Sequence, residues 1–367
     1  MKRRVLTWLL VIFIMVLTGV AFTFVTWQKP PTEEISNARL SLADAEKVNR
    51  SPAAEKIFQH AVSQYDSAML LWQIENKNIS FLRDYDQVIK LASQSKQLAQ
   101  ASMEKARSEN SDMKVILIQR KKQLIKRIEH YQAVFNHLPL SKTQRSEWAK
   151  GRMLLQEGIF AYNNHNYELT IQKFDSAEIF INRIVNYSTQ IVEAYLINYP
   201  DWKRWTEQTI THSRKHKTNS IIIDKFARKC MFYNKGILQY EFDIELGPNW
   251  IGDKNRQGDK TTPEGVYKIT RKKKNGETIY YKALLLNYPN DDDKKRFVQN
   301  KKDGTIARHA SIGNLIEIHG RGGKGTDWTD GCIALEDSDM DQLFQACQVG
   351  TEVVIVGSLK TYEELLK

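Results

Sequence analysis

One histidine and one cysteine stand beside two short apolar runs near the end of the chain. His319 follows the run 315–318, and Cys332 precedes a second run that begins at Ile333. Such runs are typical of buried strands, and neighbouring strands would bring the two side chains together. A free thiol has a pKa of about 8.5 and becomes a strong nucleophile when a base takes its proton. The pair therefore predicts covalent catalysis, with Cys332 as nucleophile and His319 as general base.

The loop between the two residues is rich in glycine and ends in Gly331, directly before the cysteine. Glycine lets the backbone approach a substrate closely, and the N–H groups beside Cys332 could hold an oxyanion. Two other interpretations compete. A single cysteine is often only a core residue, and the glycines with Lys324 suggest a phosphate loop. The spacing does not match GxxxxGK[ST], which argues against the phosphate loop.

Four motifs occur in a fixed order in this part of the chain: GDKTTPEGVY at 258–267, YPN at 288–290 followed by Asp293, His319-Gly320, and Thr329 with Gly331-Cys332. Together they resemble the L,D-transpeptidase catalytic domain, the YkuD family. The resemblance covers residues 219–367. Two positions depart from the family pattern, because Asp330 replaces the usual histidine and Ala334 the usual arginine. The variant resembles that of a distinct branch of the family.

The departures shape what we expect of the substrate contacts. A carboxylate beside a thiol would raise the thiol pKa, so the Asp330 side chain should point toward His319 or a substrate ammonium group. With no arginine at position 334, Arg321 is the first candidate to bind a substrate carboxylate, and Lys324 is the second. Trp328 and Thr329 complete the predicted substrate-binding set.

The resemblance implies a peptidoglycan L,D-transpeptidase. Cys332 would attack the carbonyl between residues three and four of a stem peptide, release D-alanine and form a thioester, which an amine acceptor would resolve. Gly331 and Asp330 join Cys332 and His319 in the predicted catalytic set. Water as acceptor would make the protein an L,D-carboxypeptidase, and a non-catalytic peptidoglycan-binding scaffold is a further alternative. We expect no cofactor and no metal, since no CxxC spacing is present.

A mainly-β domain is predicted over residues 219–367. Eight strands and one helix, over 338–347, indicate a sandwich or a barrel-like sheet. The predicted strands cover residues 221–224, 229–233, 237–244, 265–270, 281–286, 315–319, 332–335 and 352–356.

The middle of the chain, residues 32–198, has apolar and small residues at helical spacing and is predicted to be all-α. The stretches 83–102 and 165–184 are alike, and each follows another helical stretch, which predicts two related helical hairpins. A stalk or spacer is one interpretation, and a surface that binds a protein or glycan is another. Residues 199–218 are predicted to be a basic linker.

The N-terminal residues 5–27 carry no charge, and Lys2, Arg3 and Arg4 precede them. Twenty-three residues reach roughly 35 Å as a helix, so residues 1–31 predict a cytoplasmic tip and transmembrane anchor, with a cleaved signal peptide as the alternative. The expected location is the inner membrane, single-pass, with the catalytic domain on the periplasmic or extracytoplasmic side. The net charge of +11 arises mostly in the first 218 residues. A solvated basic face is the default interpretation, and attraction to anionic lipid or wall polymer is the alternative. Nucleic acid is not expected as a partner.

Overall fold

The computed structural model of the protein describes residues 8–16, 29–274 and 276–366. The chain forms two compact units, Met1–Lys122 and Gln123–Lys367. The domain boundaries predicted from the sequence therefore remain predictions, since these units divide the chain at a different place.

The predicted transmembrane anchor is not supported. Within the described residues, no helix is both long and apolar enough to cross a membrane. Of the predicted span 5–27, the described part is the helical segment α1, residues 8–16, and the rest lies outside the described residues. The predicted location, in the inner membrane through a single span, is likewise not supported, because no described helix could form that span.

The first unit is helical and packs through small residues. It contains α2 (Thr32–Glu46), α3 (Pro52–Glu75) and the first part of α4 (Asp86–Phe135). Buried alanines such as Ala68 and Ala92 let these helices approach closely. The buried Ser95 hydroxyl donates a hydrogen bond to the Ala61 carbonyl at 2.8 Å, so its polar atom does not remain unpaired. The small residues that recur at helical spacing in the sequence thus lie where these helices contact one another.

In the second unit, the end of α4 is followed by α5 (Lys142–Asn163), α6 (Tyr167–Leu196) and α7 (Tyr199–His216). Gly158 fits against the ring of Phe174, where a Cβ atom would come within 2.5 Å of the ring. The helices α5 and α6 form the second predicted hairpin. The structure gives residues 199–216 as helix α7, where the sequence indicated a linker.

The rest of this unit is one curled sheet of eight strands in the order β3-β2-β1-β8-β4-β5-β6-β7. All eight predicted strands are present, with shifts at their ends. The strands are β1 (Asn219–Asp224), β2 (Lys229–Asn234), β3 (Ile237–Asp243), β4 (Gly265–Lys274), β5 (Lys282–Leu286), β6 (Glu317–His319), β7 (Ile333–Ala334) and β8 (Glu352–Val356). The helices α8 (Asp291–Lys302), α9 (Asp337–Ala346) and α10 (Tyr362–Leu365) complete the unit.

The long strand β4 bends the sheet. Its first half pairs with β8, from Gly265 to Lys268, and its second half pairs with β5. The register shifts between Ile269 and Arg271, as at a β-bulge, which increases local twist. The bend directs β5, β6 and β7 away from the part of the sheet formed by β3, β2, β1 and β8. The predicted site lies on the part formed by β5, β6 and β7.

The helices α6 and α7 pack on the sheet around a buried carboxylate. Glu264 accepts hydrogen bonds from the Tyr195 hydroxyl at 2.6 Å and from the Trp202 indole N–H at 3.1 Å. Lys225, which is fully buried, donates to the same carboxylate at 2.7 Å. Residues from the helices and from the sheet thus share one core.

We predict that Trp202→Ala lowers the free energy of unfolding of the protein by about 3–5 kcal/mol, because it removes a fully buried indole and one donor to Glu264. Chemical denaturation of the purified protein measures this change. Lys203→Ala on the same helix is the control, since its side chain is exposed and should change stability by less than about 0.5 kcal/mol. Equal stability of the two variants would show that α7 is only a connector.

Candidate active site

Parallel pairing of β6 with β7 places the predicted nucleophile and base on neighbouring strands. Ile318 pairs with Ile333, and His319 pairs with Ala334. Cys332 directly precedes β7 and therefore lies beside Glu317, two residues before His319 in this register. Side chains alternate along a strand, so Glu317, His319 and Cys332 share one side of the sheet.

His319 is fully buried, and one of its two ring nitrogens is fixed. Nδ1 lies 2.6 Å from the Gly320 carbonyl oxygen, which can only accept, so Nδ1 carries the proton. Nε2 is buried and has no hydrogen-bond partner among the described residues. Burial lowers the pKa of His319 to about 4, although the Gly320 hydrogen bond acts in the opposite direction. The ring is therefore neutral at physiological pH, with a free lone pair on Nε2.

Two aromatic rings enclose the imidazole. Tyr280 stacks on it with centroids 3.5 Å apart and planes 5° apart, and Trp328 meets it edge-on at 5.9 Å. The Trp328 indole donates to Glu245 at 2.6 Å, and the ammonium of Lys324 lies 3.1 Å from the centre of the Trp328 ring. The enclosure fixes the plane of the imidazole and keeps it in a low dielectric.

Cys332 is half-buried and lines a cleft of about 570 Å³. Its Sγ lies 3.6 Å from the Leu315 carbonyl oxygen, to which the thiol donates. Burial raises the pKa of the Cys332 thiol to about 11, against the lowering effect of a backbone hydrogen bond from Glu317. At rest the thiol is therefore protonated. Tyr280 and Asp330 also line this cleft.

The turn before the nucleophile requires glycine and is held by Thr329. Gly331 has a φ of 119°, and a Cβ there would lie 2.6 Å from the Thr261 carbonyl oxygen. The buried Thr329 hydroxyl donates to the Cys332 carbonyl at 2.7 Å and accepts from the Gly331 N–H at 3.2 Å. The position of Thr329 supports a role in shaping this turn, whereas the sequence suggested substrate contact.

The predicted substrate-binding residues fall into separate places. Asp330 is exposed at the cleft with Cys332. Trp328 and Lys324 belong to the aromatic layer at His319. Arg321 is exposed and has a φ of 68°, and its backbone N–H donates to the Asp337 carboxylate at 2.7 Å. Neither Arg321 nor Lys324 is among the side chains that line the cleft of Cys332.

Sequence reasoning missed several residues around the pair. Glu317 alternates with His319 on β6, and its buried carboxylate pairs with Lys273 at 2.6 Å, so period-2 alternation could have indicated it. Tyr280 and Glu245 come from distant loops and carry no local signal. In the described parts of the chain, no group of three His, Cys, Asp or Glu side chains is placed to hold a metal ion.

Comparison with known proteins relates residues 218–355 to one protein family. Residues 218–355 match the sequence model of YkuD, the L,D-transpeptidase catalytic domain. YafK of Escherichia coli K12, named as a candidate L,D-transpeptidase, is 31% identical over 95 residues, which cover 26% of this chain and 31% of YafK. The chain thus spans less than a third of this relative. The family predicted from the sequence is confirmed over residues 218–355.

Solved structures of L,D-transpeptidases also match, with lower sequence identity than YafK. One from Enterococcus faecium is 16% identical, with a TM-score of 0.26 over 37% of this chain and 49% of that chain. One from Xylanimonas cellulosilytica is 14% identical, with a TM-score of 0.27 over 37% of this chain and 59% of that chain.

The pKa values of the two side chains predict the pH dependence of thiol modification. Because the Cys332 pKa is about 11, the thiolate fraction and the rate of alkylation by iodoacetamide should rise about tenfold per pH unit from about pH 6 to about pH 10. The neutral imidazole adds no step in this range. Intact-protein mass spectrometry and peptide mapping measure the rate at Cys332, with the buried Cys230 and Cys347 as internal controls. A plateau near pH 7 would instead indicate a preformed thiolate–imidazolium pair.

Proposed function

We propose, from the membership of residues 218–355 in the YkuD family of L,D-transpeptidase catalytic domains, that this protein is a peptidoglycan L,D-transpeptidase. Cys332 forms a thioester with a stem peptide, and an amine acceptor resolves it. The observation that supports this proposal is the joint placement of Cys332 and His319. The Cys332 thiol lines a cleft directly before β7. The His319 imidazole lies two residues further along the parallel strand β6, and its Nε2 has no hydrogen-bond partner among the described residues.

In the proposed mechanism, His319 Nε2 takes the proton of the Cys332 thiol as the sulfur attacks the peptide carbonyl. The carbonyl oxygen becomes an oxyanion near the backbone of Gly331 and Cys332. The C–N bond then breaks, His319 returns the proton to the leaving D-alanine amine, and the acyl group stays on sulfur. Attack by the acceptor amine repeats these steps in reverse order.

The resting protonation states support a concerted proton transfer. The thiol pKa of about 11 lies far above the imidazole pKa of about 4, so the ion pair is unfavourable before substrate binds. Buried neutral side chains avoid the cost of two isolated charges in a low dielectric. Proton transfer is then favourable only as the carbonyl carbon accepts the sulfur. Catalytic hydrogen bonds are commonly long in substrate-free enzymes, which fits the unpartnered Nε2.

The charges around the cleft fit a substrate with both an ammonium and carboxylates. Asp330 is exposed at the cleft and is proposed to meet the ammonium of the diamino acid. Arg321, on the loop after His319, is proposed to meet a carboxylate. Lys324 is the second candidate for that contact.

The decisive test is turnover of a purified tetrapeptide stem, with products identified by mass. Cys332→Ala and His319→Ala should each reduce turnover by roughly 10³-fold or more, as loss of a nucleophile or base does in a coupled pair. Cys347→Ala is the matched control, because it removes the sulfur of a fully buried cysteine elsewhere in the unit. Cross-linked dimers indicate transpeptidation, and tripeptide with free D-alanine indicates a carboxypeptidase. Equal turnover in Cys332→Ala and Cys347→Ala would refute the assignment of the nucleophile.

Arg321→Ala should lower kcat/KM on the tetrapeptide about ten- to a hundredfold, as expected for loss of a charge-assisted hydrogen bond of roughly 1.5–3 kcal/mol. Arg321→Lys should recover part of this loss, since an ammonium cannot bind a carboxylate in the same bidentate way. Lys324→Ala, which changes a cation on the same glycine loop five residues after His319, is compared under the same conditions. An unchanged kcat/KM in Arg321→Ala, with a loss in Lys324→Ala, would transfer the contact to Lys324.

A further inference from the structure

A buried lysine lies against the turn that carries the nucleophile. The Lys254 side chain is 3% exposed, and its Nζ donates to the Asp259 carboxylate at 2.6 Å and to the Thr261 carbonyl at 3.3 Å. A Cβ built on Gly331 would lie 3.4 Å from this Nζ. The ammonium therefore lies close to the residue directly before Cys332, and Lys254 also lines the same cleft.

The counter-charge of Lys254 is bound by the backbone. Asp259 accepts the N–H groups of Asn255, Arg256 and Thr261 at 2.8, 2.9 and 3.1 Å, in addition to the ammonium. Burial acts to raise the pKa of Asp259, but the hydrogen bonds from Lys254 and the backbone outweigh it and lower the pKa. The carboxylate is thus ionised and shared among four donors. Of the pair, only Lys254 lines the cleft.

The other charged and titratable groups of the cleft do not supply a positive charge to the thiol. The set that lines it is Lys254, Lys273, Glu277, Tyr280, Glu317 and Asp330. Lys273 is paired at 2.6 Å with Glu317, whose carboxylate lines the same cleft, whereas the partner of Lys254, Asp259, does not line it. Glu277 accepts from Arg271 at 2.7 Å. Asp330 carries the opposite sign, Tyr280 is neutral, and so is His319 behind it. Among the described residues that line the cleft, Lys254 is therefore the cation whose position favours a negative charge on Cys332.

We propose that Lys254 is a positioning residue of the nucleophile turn, whose buried ammonium favours the thiolate form of Cys332 and holds the Thr261 carbonyl against Gly331. This inference rests on the proposed function only in taking Cys332 as the nucleophile. If Lys254 has this role, the GDKTTPEG segment positions the turn before Cys332. Asp259 anchors the ammonium, and Thr261 carries the backbone that packs on the turn.

A second buried lysine provides a matched comparison. Lys225 donates to the carbonyl of Thr262 at 2.9 Å and to the carboxylate of Glu264 at 2.7 Å, so it holds the same segment by the same two kinds of bond. Its side chain is fully buried, and it does not line the cleft of Cys332. Replacing either lysine removes a buried charge from the segment, but only Lys254 has its ammonium close to Gly331.

The test is the pH profile of Cys332 alkylation by iodoacetamide, measured by peptide mass in the full chain with no peptide substrate present. Lys254→Met should raise the pH midpoint, so that alkylation near pH 8 is about three- to tenfold slower, as for a shift of half to one pKa unit. Lys254→Arg should keep the rate near that of the parent protein. Lys225→Met should leave the profile unchanged.

Each outcome decides the inference. Equal slowing in Lys254→Met and Lys225→Met would show that both changes merely loosen the segment, and an unchanged profile in Lys254→Met would also overturn the proposal. If Lys254→Met does not fold, Asp259→Asn replaces it: this change keeps the ammonium and removes its counter-charge, so alkylation should become faster. An equal or slower rate in Asp259→Asn would then overturn the proposal. Tetrapeptide turnover is measured separately and tests the proposed function alone.

Discussion

The buried carboxylate of Glu264 is the interaction on which the arrangement of the second unit depends. It lies at the end of the GDKTTPE segment and accepts from Lys225, Tyr195 and Trp202, which belong to the sheet and to two helices. A buried carboxylate is costly unless it is paired and hydrogen-bonded, so each of these donors lowers the cost of burying Glu264. The helices are therefore part of the same folded unit as the sheet. They fix the segment whose Thr261 carbonyl packs against Gly331.

The same segment also constrains the turn that carries Cys332, the proposed nucleophile. Gly331 tolerates the approach of Thr261 because it has no Cβ, and its φ of 119° is costly for other residues. The Thr329 hydroxyl then joins the two ends of the turn. The result is a thiol that is held at a cleft and is protonated at rest. Its high pKa and the low pKa of His319 share one cause, which is burial in a low dielectric.

The sequence predicted those parts of the fold that depend on local pattern. Apolar runs indicated all eight strands, and motif spacing identified His319 and Cys332 with their order along the chain. It could not reveal that residues 199–216 form a helix on the sheet, because the burial of Trp202 is a tertiary contact. Tyr280 and Lys254 were missed for a similar reason, since they reach the site from loops distant in the chain. The helix α8 was missed although Asn290 and Asp293 form a capping box at its start.

The departure at position 334 has a structural explanation. Ala334 is fully buried and exchanges two backbone hydrogen bonds with Glu245, each of 2.9 Å. The glycine loop crosses the same strand, because the Gly322 N–H donates to the Leu335 carbonyl at 2.7 Å and a Cβ on Gly322 would lie 3.1 Å from the Ala334 carbonyl carbon. An arginine at 334 would have to displace this loop or bury its guanidinium beneath it. The small side chain at 334 thus makes room for the glycine loop. Any cation that replaces the arginine has to come from outside β7.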